Sequence, residues 1–305
     1  MSNIVSLSTA WNSKTTHDTR KMLEDIKHLG VDFIELGYNI TPLRLKEINN
    51  LLPKVGLKVS SVHNYCPLPL EGMPKRSLTD RYRLSSLDET ERKNAVNATK
   101  VTIETAASFN ASVVVLHAGT VEFDQDSTKQ LLQLYRKEAK DSSEYENMKS
   151  SFLTYRTNSC EVYLKSAMNS IEELIPFAVE HNVRLGIETR YYPNEIPDFQ
   201  ELEIIFKVFN NEQVVYWHDL GHAEVSERLG FTKHKKFLEK HKKRLYGMHI
   251  HDLKGIDDHL APFTAEMDFS LIEPYINKHT LLVVEAHSQA TKEELKHAVK
   301  KLKKF

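Results

Sequence analysis

The chain has 305 residues, 40% of them hydrophobic. That suffices for one large core, and α/β barrels run to about 250 residues or more as one domain. Lys plus Arg (41) and Asp plus Glu (42) balance, so net charge argues neither for nor against a polyanionic partner, and no stretch approaches the roughly 20 apolar residues of a spanning helix, which excludes a membrane-spanning partner role.

Asn3–Leu7 reads as a first strand. His17–Leu29 has helical spacing, with Met22, Leu23, Ile26 and Leu29 on one face and Gly30 as the stop. Val31–Leu36 reads as strand, Pro42–Val55 as helix closed by Gly56, and Leu57–Val62 as strand. After a long loop, a helix is expected from about Leu87 to Phe109, with Ser86-Leu87-Asp88-Glu89 in capping-box form. Ser112–Leu116 is a short strand, apolar on both faces as a buried parallel strand should be. A charged, helix-compatible insertion spans about 121–158, expected as a lid or interface element within one domain covering 1–305. Then come helix 161–181, strand 183–188, helix 198–209, strand 213–219, helix 232–241, strand 244–250, helix 268–277, strand 281–285 and helix 291–303. Eight strands alternating with eight helices favour a (β/α)8 barrel over an open doubly wound sheet. Cys66 and Cys160 sit in no metal-ligand spacing and read as free thiols. The first residues, MSNIVSLSTAWNSK, show no basic-then-apolar leader, so the expected compartment is the cytoplasm.

Seven of the strands end in or next to a residue that can bind a metal: Glu35, His63, His117, Glu188, Asp219, His249 with His251, and Glu285. One such end is unremarkable, and a lone strand-end histidine is usually a hydrogen-bonded core or loop residue. Seven ends imply convergence, which a parallel barrel supplies at its C-terminal mouth. Asp219-Leu220-Gly221-His222 adds an imidazole one turn after a carboxylate, and Asp257-Asp258-His259 follows in the next loop. Imidazoles with carboxylates suit Zn, Mn, Fe or Co better than Mg. Glu35 is the weakest member and is expected to orient another ligand; His251 is expected behind the ligands.

These segments resemble the xylose isomerase-like TIM barrels, the superfamily of endonuclease IV and the ketose 3-epimerases, over nearly the whole chain. The resemblance to the endonuclease IV branch implies up to three metal ions held by His63, His117, Glu188, Asp219, His222, His249, Asp257, His259 and Glu285. The resemblance to the epimerases implies one ion on Glu188, Asp219, His249 and Glu285, with His222 on substrate. The family's Asn-Asp-Ser-Lys stands here as His251-Asp252-Leu253-Lys254. Its Pro-Gly-x-Gly turn has lost both glycines in Ala261–Phe269, which counts against the close backbone approach glycine permits.

Three functions compete. A sugar or sugar-phosphate isomerase/epimerase would use a metal to acidify a C–H beside a carbonyl, with Glu188 and Glu285 as base and acid. Lys75, Arg76, Arg81 and Arg83 in the loop after the third strand, and Lys254, would bind substrate or its phosphate, although charged loops are more often simply solvated. An endonuclease IV-like phosphodiesterase would use two or three metals. DNA is not favoured, because the loop Gly37-Tyr38-Asn39-Ile40 is short and lacks Arg. The basic run Lys233–Arg244 is expected as an exposed helix face away from the mouth. A non-catalytic metal-dependent binder comes third. A homodimer is compatible with such a barrel.

Overall fold

Apolar strand segments of four to six residues, separated by helices, close here into a parallel barrel. The computed structural model describes residues 3–69, 81–122 and 125–305. The strands are β1 Val5–Ser8, β2 Phe33–Leu36, β3 Lys58–His63, β4 Val113–Leu116, β5 Arg184–Glu188, β6 Val214–Asp219, β7 Leu245–Ile250 and β8 Leu281–Val284. Each pairs in parallel with its neighbours in sequence, and β1 pairs with β8 to close the ring. The two-residue side-chain period sends Val113 and Val115, Val215 and Trp217, and Leu281 and Val283 into one buried interior cluster. Trp217 fills the space over Gly247, where a Cβ would lie 2.3 Å from the indole. The intervening residues, such as Val114, Leu116, Leu185, Ile187 and Val284, face the helices in the larger outer core. The same period, continued past the strand ends, brings the acids and histidines inward above that plug.

The helices are α1 Thr19–Lys27, α2 Pro42–Val55, α3 Glu89–Ser108, α4 Gln125–Arg136, α5 Ser143–Glu180, α6 Phe199–Val208, α7 Leu220–Arg228, α8 His234–His241 and α9 Lys292–Leu302. Caps fix most starts. Asp18, Thr41, Ser142, Asp198, Asp219 and Thr291 each accept from a backbone N–H of the first turn.

Four features differ from the sequence expectation. The cap of α3 is Asp88, which accepts from Thr90 and Glu91, rather than Ser86. The insertion is not set apart from the helix after β4. It comprises α4 and the first turns of a continuous 38-residue α5. A helix α7 follows directly on β6, capped by Asp219 itself. After β7 two 3-10 turns, Phe269–Leu271 and Glu273–Tyr275, stand where a helix over 268–277 was expected. Pro274 has no N–H to donate and favours such a short start over a helix interior. Of the basic run, Lys235, Lys236 and Lys240 are exposed on α8, while His234 and His241 turn inward. No helix among the described residues is long and apolar enough to cross a membrane.

Candidate metal centre

His249 is the focus of the mouth. It lies at the end of β7, fully buried. Its Nε2 is 3.1 Å from a Glu35 oxygen, and its Nδ1 is 2.6 Å from Glu188, 2.9 Å from Glu285 and 3.6 Å from Asp219. These four acids are themselves 3% exposed or less. If Nε2–H donates to Glu35, the Nδ1 lone pair faces three carboxylates and is tolerable only with a proton or a cation between them. Burial alone would lower the imidazole's pKa, but Glu285 and Glu35 outweigh it and raise it well above its usual range. Burial would likewise raise the acids. The imidazoles of His117 beside Glu188, His222 and His251 beside Asp219, and His249 beside Glu285 instead hold all three well below the carboxylate range. Ionised, converging and dry, this donor set fits a divalent transition ion.

Two further groups adjoin the first and share its acids. His63, His117 and Glu188 form one; Asp219, His222, His251 and His259 form the other. In the first, His63 Nδ1 donates to the Asn64 carbonyl at 2.9 Å, which leaves Nε2 for the site. His117 Nε2 is 2.8 Å from Glu188 Oε2, while its buried Nδ1 has no hydrogen-bond partner among the described residues. Burial and the Arg190 charge bring His117 down to about 4, so it is neutral near pH 7. In the second group, His222 Nδ1 donates to the Thr189 carbonyl at 2.9 Å, and Nε2 points at Asp258, 3.5 Å away. His251 is wired the other way. Its Nδ1 accepts from the His259 backbone N–H at 3.0 Å, so Nε2 carries the proton and donates to Asp219 at 3.0 Å. That makes His251 an orienter of Asp219. Gly221 leaves room for it, since a Cβ there would lie 2.0 Å from the ring.

Of the residues expected from sequence, His63, His117, Glu188, Asp219, His222, His249, His259 and Glu285 are brought together. Asp257 is not. Its side chain is 69% exposed and pairs with Arg136 of α4 at 2.7 Å. Asp258 takes the inward place, 3.0 Å from His259 Nδ1. His259 has φ +58°, a left-handed conformation that breaks the two-residue period and turns Asp258 to its side of the ribbon. The loop without glycines closes on Asp252 instead. That fully buried carboxylate accepts from the N–H groups of Thr264, Ala265 and Met267 at 2.8–2.9 Å, and Phe263 adopts the left-handed φ of +68°.

The expected phosphate clamp is not assembled from Arg83, which is buried against Glu91, Glu122 and Thr120. Lys75 and Arg76 lie outside the described residues. Arg81 is half-buried with an Nε that has no partner among the described residues, and Lys254 is exposed on the ribbon that Asp252–Lys254 makes with Asp257–Leu260.

Three participants escaped the sequence reading. Arg190 donates to Glu188 Oε2 through Nη1 and to Glu195 through Nη2 at 2.6 Å. His287 stacks on His259 with ring centroids 4.0 Å apart, and His259 stacks on His251 at 4.2 Å. The third is Asp258. Arg190 and His287 stand two residues beyond Glu188 and Glu285, so the alternation applied to His249 and His251 would have flagged both. A cavity of about 680 Å³ lies between α5, α6 and the segment 189–201, with Arg190 among its lining residues. The convergence of buried ionised groups, not cavity size, marks the centre.

The model of the family described as xylose isomerase-like TIM barrel matches residues 23–305. The chain belongs to the xylose isomerase-like TIM barrel family. Among curated proteins, the uncharacterized protein y4fM of Sinorhizobium fredii is 24% identical over 243 residues, 77% of this chain and 68% of that protein. Among solved structures, this family member superposes on 3-keto-D-glucoside 4-epimerase from E. coli with a TM-score of 0.68 at 13% identity, covering 99% of this chain and 100% of that one. A D-tagatose 3-epimerase-like protein gives 0.66 at 17% identity, covering 100% and 96%. At such identities the likeness is one of fold.

Proposed function

We propose that this family member is a metal-dependent isomerase or epimerase acting on a sugar-like or phosphorylated sugar substrate. The observation that carries it is His249 Nδ1 facing three buried carboxylates. A divalent transition ion held by Glu188, Asp219, His249 and Glu285 would polarise adjacent oxygens of a keto sugar and acidify the C–H between them. Glu188 and Glu285 come from β5 and β8, well separated around the ring, and so flank a bound substrate on opposite sides. Both are held ionised; one would take the substrate proton and later release it to solvent, while the other would first accept a proton from solvent and deliver that one to the opposite face. His222, its Nδ1 committed to Thr189 and its Nε2 turned toward Asp258, would bind a substrate hydroxyl through Nε2. The epimerases that share the fold support this chemistry.

An endonuclease IV-like phosphodiesterase is the second reading, favoured by the two adjoining ligand groups that share Glu188 and Asp219. The two are separated by incubating metal-loaded protein with candidate ketoses in D2O and with abasic-site DNA, each with and without chelator. Chelator-sensitive deuterium uptake at the carbon beside the carbonyl is expected. Nicking without exchange would reverse the assignment. Glu188→Gln should lower the exchange rate by roughly 10²–10⁴-fold, and unchanged turnover would remove Glu188 from the chemistry.

A further inference from the structure

We infer that Arg190 keeps a metal ion out of the group formed by His63, His117 and Glu188, its guanidinium holding the Glu188 oxygen that such an ion would share. This rests on the proposal that Glu188, Asp219, His249 and Glu285 hold an ion.

Glu188 divides its two oxygens between two directions. Oε1 turns toward His249 Nδ1 at 2.6 Å, into the central group. Oε2 turns toward His117 Nε2 at 2.8 Å, into the adjoining group with His63. In a site for two ions, Oε2 would bind the second one. Here Arg190 Nη1 already donates to that same oxygen.

The guanidinium is not a loose surface charge that could swing away. Arg190 is 9% exposed. Its Nη2 is held at 2.6 Å by Glu195 Oε1, and Glu195 Oε2 is fixed by the Tyr192 N–H at 2.7 Å. Glu195 belongs to the short ribbon in which Glu195–Ile196 pairs with Gly119–Thr120, the residues that follow His117. The clamp is therefore anchored to the same segment that carries the histidine. An arginine keeps its charge under all ordinary conditions. A divalent ion between His63, His117 and Glu188 would have to sit against it in a dry site, where like charges repel strongly.

The same contact gives Arg190 a positive role. It neutralises the outer oxygen of Glu188, so the carboxylate keeps its ionised form and its other oxygen is aimed at the central position. His63 and His117 are then walls of the site and not ligands.

The experiment strips the full-length protein with chelator, removes the chelator and reloads with Zn or Co. Bound metal per chain is counted by elemental analysis, and cobalt geometry is read from visible absorption. Wild type and Arg190→Lys, which keeps the charge, should take up one ion. Arg190→Gln, which keeps a donor but loses the charge, should take up two, and adding His117→Ala to it should return the count to one. In wild type, the number of ions bound should not change on His117→Ala, a comparison that stands whether or not the Arg190 variants fold. Two ions in wild type that fall to one on His117→Ala, or a folded Arg190→Gln with no more ions than wild type, would each overturn the inference. No ion in wild type would overturn the central metal site itself, and the inference with it.

Discussion

Asp257 and Asp258 are neighbours with opposite fates, and the difference is testable. Asp258 is turned to His259 and His222, and although burial raises its pKa, His259 brings it down to about 2. Asp257 points to solvent and to Arg136. Asp258 holds His259, whose Nε2 lies 3.7 Å from Glu285, so Asp258→Asn should weaken metal binding by about 10-fold, the low end of what loss of an outer partner costs. Asp257→Asn should leave it unchanged, because an exposed ion pair contributes little. A competition titration against a coloured chelator measures both, and a larger effect at 257 would refute the placement. From sequence the two could not be told apart. Strand alternation pairs 257 with 259, and only the left-handed φ of His259 undoes it. His251 was legible for the opposite reason. As one of two histidines flanking Ile250 it was expected behind the ligands, and the backbone N–H on its Nδ1 supplies the physical cause.

At the scale of elements, α5 ties the insertion to the barrel's flank. Tyr145 donates to the Leu229 carbonyl at 2.9 Å, and Arg156 reaches Glu201 of α6 at 2.6 Å. Both partners of that pair are buried. Burial dominates Glu201 and raises it to about 7, with Arg156 offsetting only part. An acid with a raised folded pKa favours folding while protonated, and that benefit fades as pH climbs from about 4.5 through 7. Arg156→Met removes the counter-charge and raises Glu201 further, so its cost should grow over that climb. We expect about 3 kcal/mol of lost stability at pH 8 and clearly less at pH 5, read from urea denaturation at both. An equal loss at the two pH values would exclude the ionised pair. The continuity of α5 was in principle readable, since no Gly or Pro interrupts 143–175. It was obscured because the segment's polar surface resembles an insertion, whereas a helix lying along other helices needs only a narrow apolar stripe. The start of α7 was hidden in the same way. Asp219-Leu220-Gly221-His222 reads as a ligand pair, yet Asp219 also caps the helix by accepting from the His222 N–H at 2.8 Å. One residue thus sets both the helix start and the imidazole's distance from the centre.

For the molecule as a whole, the barrel gathers more buried carboxylates at its mouth than fixed cations. Glu35, Glu188, Asp219 and Glu285 meet around one imidazole, and Arg190 offsets only the outer side of Glu188. Without an ion these acids repel across the top of all the strands that must close the ring. Folding and metal binding are then linked, because the unfolded chain cannot assemble ligands contributed by β5, β6, β7 and β8. An ion bound to the folded state at 100 times its dissociation constant stabilises it by about 2.7 kcal/mol. For a chain of this size that corresponds to a rise in Tm of roughly 4 °C. Chelator-stripped protein should melt lower by this amount and recover on adding Zn or Co. In His249→Ala the dependence on added metal should be lost, although the empty position relieves part of the crowding. Calorimetric scans at several metal concentrations provide the measurement. A Tm independent of metal in the wild type would mean that the acids are balanced by protons on His249 and its neighbours, and that the mouth is a buried ionic network with no ion of its own.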